Sequence, residues 1–360
     1  MPIKPKPKHP PSQYFIFLIC SLLLPNFAHS RTDLYMGLAP ALSSRSSQNN
    51  LYEIALGDAC NVMLGLQQVL PCNPAFMGEV EGKFFQMSYM TDDDQNFVNK
   101  GAELIKNNKN YDFSKSLFDK TDMVDTESNL QLSFRYKTFG LEVIPYKESV
   151  WILSRDSSNP VIAIQTQSEQ SIAGVIGGHV NENNSFGLKI RLIKRQVIQD
   201  EFSFLQATLG KEEILQINTQ NAISFEPGYA YFNEDSWRTR FSAVIKNWEM
   251  TDQRIEGSNT QPLLIFGLGA TPYDKSFTWD VGLTHRGNRE IKQGLTLTSQ
   301  TRFKNISYFA MLSSDRYNIG GSFLLRELQT TLSFNERHYS QLDKDLPLQK
   351  SIQLEFSYIF

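Results

Sequence analysis

Apolar and polar side chains alternate along most of this chain. The last ten residues set the pattern: Ile352, Leu354, Phe356, Tyr358 and Phe360 share one face, Gln353, Glu355 and Ser357 the other, and only Ile359 breaks the polar side. A two-residue period marks a strand with one apolar and one polar face. Runs of about eight to eleven residues, enough to cross a membrane when tilted, recur at 82–91, 129–137, 161–167, 172–180, 185–193, 237–248, 263–270, 277–285, 294–301, 304–312, 317–325 and 328–336. Weaker runs lie at 139–144, 150–154, 202–207 and 223–232. Turn chemistry separates them, as in Asp156-Ser157-Ser158-Asn159-Pro160, Asn181-Glu182-Asn183-Asn184 and Arg286-Gly287-Asn288.

The pattern predicts an all-β fold, an antiparallel transmembrane β-barrel of about 14 strands over residues 82–360. A soluble antiparallel sheet gives the same alternation, but it must defend its edges, whereas closure removes them. Lys189, Arg191 and Lys194 share the polar face of one run, and Arg238 and Arg240 that of another. In a barrel these charges point into the lumen; in a soluble sheet they line a solvated face. The terminal Phe356, Tyr358 and Phe360 are similar to the C-terminal insertion signal that the assembly machinery reads on bacterial outer-membrane barrels.

The first thirty residues stand apart. Lys4, Lys6 and Lys8 precede the apolar stretch Tyr14 to Leu24, Pro25 ends it, and Ala28 and Ser30 supply small residues before Arg31. That is the layout of a secretory signal peptide, and the stretch falls well short of the ~20 residues a spanning helix needs. Cys20 lies inside it, but Phe17 and Ile19 are too large for a lipid-attachment site. With 41% hydrophobic and 20% charged residues the chain can bury a large core, which excludes disorder. A formal net charge of −3, which becomes more negative once Lys4, Lys6 and Lys8 are removed, argues against a nucleic-acid partner.

Residues 31–81 read as a linker followed by a hatch-like segment. Ala55-Leu56-Gly57-Asp58-Ala59 and then Asn73-Pro74-Ala75, leading into Phe76-Met77-Gly78, resemble the N-terminal signature of the outer-membrane long-chain fatty acid transporter (FadL-like) superfamily. The resemblance continues in Phe186-Gly187-Leu188-Lys189-Ile190 and in Phe241-Ser242-Ala243-Val244-Ile245-Lys246-Asn247, and so covers roughly Leu51 to Phe360. It implies a barrel plugged by its own N-terminus, with Asn73, Pro74 and Ala75 as the hatch motif and a hydrophobic small molecule as passenger. The chain departs from the transporters in Asn61 to Leu70, in its shorter length and in a polar insert at 92–128. It is closer to the superfamily's smaller relatives, barrels associated with type IX secretion and plasmid conjugation, and these imply a binding or assembly role through the loops. Read without the family, Asn-Pro-Ala pins a sharp change of direction, and an ordinary turn before a strand would do the same.

Cys60 and Cys72 flank that segment, and an oxidising compartment makes a disulfide the expected state, the alternative being two buried thiols. Closing such a loop contributes about 3 kcal/mol in the chain-entropy model. Two cysteines without a nearby histidine cannot complete a tetrahedral metal site, and no cofactor motif is present. In the insert, Asp92-Asp93-Asp94 would cap a helix running to about Lys106, with Phe97, Val98, Ala102 and Ile105 on one face. It would cap the barrel mouth, dip into the lumen or remain a solvated loop. His179, His285 and His338 lie in no G-x-S-x-G or H-E-x-x-H context, and Gly174, Gly177 and Gly178 cradle no phosphate without a following helix; they suit a bend or the close approach of a plug. The expected class is therefore a non-enzymatic barrel of a Gram-negative outer membrane, in contact with membrane lipid. Deleting Phe360 should lower assembly into the membrane while leaving export unchanged, as read by fractionation; full insertion would show the terminal strand to be misread.

Overall fold

The computed structural model describes residues 51–64, 69–79, 82–92, 123–155, 161–203, 217–233, 237–252, 262–271, 278–287, 294–314, 316–337 and 349–359. Its strands are β1 (Lys83–Asp92), β2 (Met123–Tyr136), β3 (Phe139–Arg155), β4 (Val161–Asn181), β5 (Asn184–Ser203), β6 (Ile217–Phe232), β7 (Arg240–Lys246), β8 (Trp248–Thr251), β9 (Leu263–Ala270), β10 (Thr278–Arg286), β11 (Leu295–Phe303), β12 (Ile306–Ser313), β13 (Arg316–Leu325), β14 (Leu328–Arg337) and β15 (Gln349–Ile359). Consecutive strands pair antiparallel from β1 to β7 and from β9 to β15, β7 pairs with β9, and β1 pairs with β15, Gln86 opposite Ile359 through Asp92 opposite Gln353. The sheet is thus a closed barrel. β7 and β8 both pair with β6 and form one wall position, interrupted at Asn247, whose φ of 56° is left-handed. The barrel therefore has 14 wall strands.

Which face is apolar decides what kind of barrel it is. Ile176, Leu268, Leu312, Ile319 and Leu332 point outward and are 53–60% exposed, whereas Gln300, Asn318, Ser333 and Gln353 point inward and are fully buried. A soluble barrel or sandwich hides its apolar face. This one presents it, which is stable only in hydrocarbon. No helix among the described residues is long and apolar enough to cross a membrane.

The two ends differ. Lys137-Thr138, Glu182-Asn183, Lys304-Asn305 and Arg326-Glu327 close two-residue hairpins at one end, and all but one of the connections at the other end are longer. Lys137, Lys304 and Arg326 have φ of 52–57°, a conformation that side chains other than Gly and Asn seldom adopt.

Strand lengths depart from the sequence reading on one side of the barrel. The separate runs 139–144 and 150–154 are one strand, β3, and 161–167 and 172–180 are one strand, β4. In β3 the register shifts between Ile144 and Lys147, around Pro145, which has no N–H to give a ladder; the slip reverses the alternation and hides the continuity. In β4 the stretch 168–171 is polar on both faces, because Glu169 faces a charged lumen and Gln170 lies beyond the apolar band. The predicted run 237–248 begins only at Arg240. Of the predicted insert, Asp92 ends β1 and residues 123–128 begin β2; the rest, including the proposed helix to Lys106, lies outside the described residues, as do the signal peptide, His338 and Phe360. Phe356 and Tyr358 project outward from β15.

Leu332 stands outward in mid-strand on β14. Arginine there should cost about 2–4 kcal/mol at the membrane midplane, seen as a lower urea midpoint in lipid vesicles, whereas Leu332→Met should leave the midpoint unchanged.

Candidate functional site: a plugged lumen

The segment ahead of β1 folds inside the barrel. A short helix, α1 (Leu51–Leu56), runs into a 3-10 turn (Gly57–Asn61), and a second 3-10 turn (Pro74–Gly78) leads towards β1. Ile54, Leu56, Val62, Met63, Phe76 and Met77 are each at most 1% exposed. Cys60 and Cys72 are bonded, with Cα atoms 5.7 Å apart, and tie the two turns together.

Asn73 starts the second turn for local reasons. It is extended (φ −98°, ψ 117°), its Oδ1 accepts from the Ala75 amide at 3.0 Å, and Pro74 follows at the first helical position, where its missing N–H costs nothing. Its Nδ2 donates to the Asn61 carbonyl at 3.2 Å and to the Tyr229 carbonyl of β6 at 3.3 Å, joining hatch to hatch and hatch to wall. The wall receives this turn in a slot. Gly177, Gly187 and Gly228 occupy one register row across β4, β5 and β6. A Cβ would stand 2.1 Å from the Pro74 carbonyl oxygen at Gly177, 2.2 Å from the Pro74 carbonyl carbon at Gly187, and 2.1 Å from Asn73 Oδ1 at Gly228. Only glycine admits the backbone so close. Gly174, by contrast, has nothing within 4 Å of such a position.

Wall cations grip the hatch around its length. Arg240 of β7 donates to the Val62 carbonyl and to Asp280, and at 2.8 Å to Thr271 Oγ1; Asp280 in turn accepts from the Leu64 amide at 2.9 Å. Lys246 of β7 donates to the Cys72 carbonyl at 2.8 Å and to Glu226 at 2.9 Å. Arg135 of β2 donates to the Met77 carbonyl at 2.5 Å, and Arg286 of β10 forks onto Asp58. Thr298 Oγ1 donates to the Leu56 carbonyl at 3.1 Å.

Of the cations placed in the lumen by sequence, Lys189, Arg191 and Arg240 are there, 6%, 2% and 2% exposed. Lys189 pairs with Glu142 at 2.9 Å, and Arg191 with Glu226 at 3.2 Å. Arg238 is elsewhere. It lies in the β6–β7 connection at a left-handed φ of 43°, with Nη2 3.8 Å from Glu79. Lys194 is on the outer face, and Arg195 takes the inward position, bonded to Glu169 at 2.8 Å and to Glu249 at 2.6 and 2.7 Å. Counting in twos from Arg191 reaches 195, not 194, so that signal was present. Sequence reading gave Arg135 no role, Lys246 only a place in a strand end and Arg286 a place in a turn, whereas Arg286 ends β10; an inward cation on one strand does not reveal a partner 58 to 228 residues away.

At the tight-turn end His179 accepts from or donates to Ser185 Oγ through Nδ1 at 2.9 Å and lies 3.1 Å from Glu79 through Nε2. Burial pushes the Glu79 carboxyl up from the ordinary glutamate range, against the pull of His179, Arg238, Arg240 and Arg135. A serine, a histidine and a carboxylate in a row resemble a hydrolase triad, but Ser185 is fully buried. Through Glu79 the row ties the hatch to the wall at His179. Among the described residues no cluster of His, Cys, Asp and Glu could hold a metal ion.

No protein-family model and no curated protein matches the chain. Solved structures similar to it include the CymD monoaromatic hydrocarbon channel, at 12% identity over 85% of this chain and 96% of that one, with a TM-score of 0.42. The toluene transporter TodX of Pseudomonas putida matches at 10% identity over 80% and 91%, TM-score 0.40, and CdiB from Acinetobacter baumannii at 8% over 78% and 60%, TM-score 0.34. Likeness at this level assigns neither family nor function.

Gly187→Val should unseat the second turn, since an overpacked contact costs about 1–3 kcal/mol. Proteolysis of the hatch should then rise on the order of tenfold, each 1.4 kcal/mol being a factor of ten, while the barrel keeps its heat-modifiable migration on gels. Unchanged cleavage would show that the slot does not hold the hatch.

Proposed function

We propose that the protein is an outer-membrane barrel of a Gram-negative bacterium, exported by its signal peptide, whose hatch gates a passive pathway for a hydrophobic small molecule, as the resemblance to long-chain fatty acid transporters implies. The observation that carries this reading is where the lumen keeps its apolar surface. The inward wall is dominated by Ser, Thr, Asn, Gln and paired charges, and most of the apolar clusters inside the barrel contain hatch residues: Leu56, Val62 and Met63 with Phe309; Ile54 with Met90; Phe76 with Ala230 and Phe232; Leu70 and Met77 with Val175. A hydrophobic passenger therefore finds its contacts on the hatch. Methionines 63, 77 and 90 lie in those clusters, and their unbranched, polarizable side chains adapt to irregular ligands.

The grip also suits a plug that moves. Arg240 and Lys246 hold hatch carbonyls while each retains a wall carboxylate, Asp280 and Glu226 respectively. Release of the hatch leaves neither cation without a partner.

A second reading, a non-transporting barrel that serves assembly, secretion or surface interaction through its loops, is supported by the height of one side. β3, β4 and β5 run for 17, 21 and 20 residues, about twice the 9–11 that cross a bilayer, and the excess projects at the end with the long connections.

Native mass spectrometry with lipid analysis on protein taken gently from outer membranes separates the two. A hydrophobic small molecule at near-unit occupancy, lost on Asn73→Ala or on removal of the hatch, is expected for the pathway. A stoichiometric protein partner on a barrel without small molecule would overturn it in favour of the second reading, and recovery from the soluble periplasm would defeat both.

A further inference from the structure

Lys194, the β5 cation that faces outward, stands at the edge of a hollow of about 680 Å³ in the outer wall. Lys189, Arg191 and Arg195, the other cations of that strand, are all buried on the lumen side. The floor of the hollow is a single register row across five strands: Val143 opposite Ile172, Ile172 opposite Leu192, Leu192 opposite Ile223, and Ile223 opposite Met250. Ile172, Leu192, Ile223 and Met250 are 41–60% exposed on the outside of the barrel.

The next outward row is polar. Gln170 faces Lys194, and Lys194 faces Asn221. Asp252, the acid of this row, is turned to Asn221, whose amide and Nδ2 donate to it at 2.9 and 2.7 Å. The apolar band of the wall thus ends here, and one lysine marks the boundary. A cation is costly at the membrane midplane and tolerated near the interface, so this height suits Lys194.

The hollow has structural causes. The bulge at Pro145 in β3 lines it on one side, and on the other the wall breaks at Asn247, three residues before the lining residue Met250 of β8. A bulge bends its strand and strengthens the local twist. The volume falls within the 300–1,000 Å³ common for small-molecule sites.

We infer that this hollow binds one amphipathic membrane lipid, its acyl chain along the Val143 to Met250 row and its anionic phosphate headgroup at Lys194. The occupant is a lipid of the leaflet at the long-connection end. The site rests on the membrane reading above and is independent of what passes through the lumen.

The test places the full mature chain in nanodiscs of phosphatidylcholine mixed with phosphatidylglycerol and counts retained lipid by native mass spectrometry. One phosphatidylglycerol per barrel should be retained in preference. Lys194→Glu should lower its retention on the order of tenfold, the loss of one charge-assisted contact, without changing phosphatidylcholine. Lys194→Arg should keep it, and Leu192→Asn should lower retention of both lipids. Equal retention by wild type and Lys194→Glu, or an equal fall with Lys304→Glu at the opposite end, would overturn the site. Heat-modifiable migration shows that each variant is folded. A wild-type chain that does not insert at all would overturn the membrane reading and the site with it, whereas an inserted barrel indifferent to Lys194 overturns the site alone.

Discussion

Hydrocarbon solvates no unpaired backbone amide, so a chain that crosses it as strands must return to its own first strand. Here β15 pairs with β1, and the remaining features follow from that closure. It turns a two-residue period into an inside and an outside: Leu332 outward and Ser333 inward, Leu192 outward and Arg191 inward. It also makes the interior a small volume into which every inward side chain must fit. Charges placed there have to be compensated, and on the side from β2 to β8 three carboxylates pair with four cations, Glu142 with Lys189, Glu226 with Arg191 and Lys246, and Glu169 with Arg195. Removing one partner of such a pair costs about 3–5 kcal/mol, because the other stays buried and uncompensated.

The hatch is held by a related interaction with a different consequence. Its contacts to Arg135, Arg240 and Lys246 run through backbone carbonyls, whose partial charge draws a cation without neutralising it. A guanidinium can therefore serve a wall carboxylate and a hatch carbonyl together, as Arg240 does with Asp280 and Val62. At Arg240 and Lys246 the charge balance holds both when the hatch carbonyls are in place and when they leave. Two hatch carboxylates behave differently: Asp58 pairs with Arg286 and fixes the part of the hatch nearest α1, and Glu79 faces His179 and Arg238 at the other end.

The short strands β12 to β14 could be read from sequence to within two residues, because they cross little more than the apolar band and their alternation holds from end to end. The tall strands could not. Beyond the band both faces of a strand are polar, as at Ser168, Glu169 and Gln170, and the period that identifies it disappears. The Asn73-Pro74-Ala75 turn was legible as a change of direction, since proline and the asparagine before it constrain their own backbones. Its slot was legible only at Gly177, which suits the close approach of a plug; Gly187 and Gly228 each look like a weak point in a strand, and only the register of three strands brings the three level. Arg238 was misplaced because its alternation with Trp237 and Thr239 belongs to a connection, where a left-handed turn imitates the end of a strand.

The disulfide decides whether the hatch moves as one body or two. Arg286, Thr298 and Arg240 hold the first stretch, at Asp58, Leu56 and Val62. Lys246, Arg135 and the glycine slot hold the second, at Cys72, Met77 and Pro74. Without a link, ten residues of chain between Asn61 and Cys72 would let either stretch leave its anchors alone, each release breaking only a few contacts. The bond between Cys60 and Cys72 joins the first stretch to the second just before the Asn73 turn, so a displacement at either end loads both sets of anchors. A ligand that opens this lumen must then offset the two sets together, and the free energy to do so has to come from differential affinity for the displaced state.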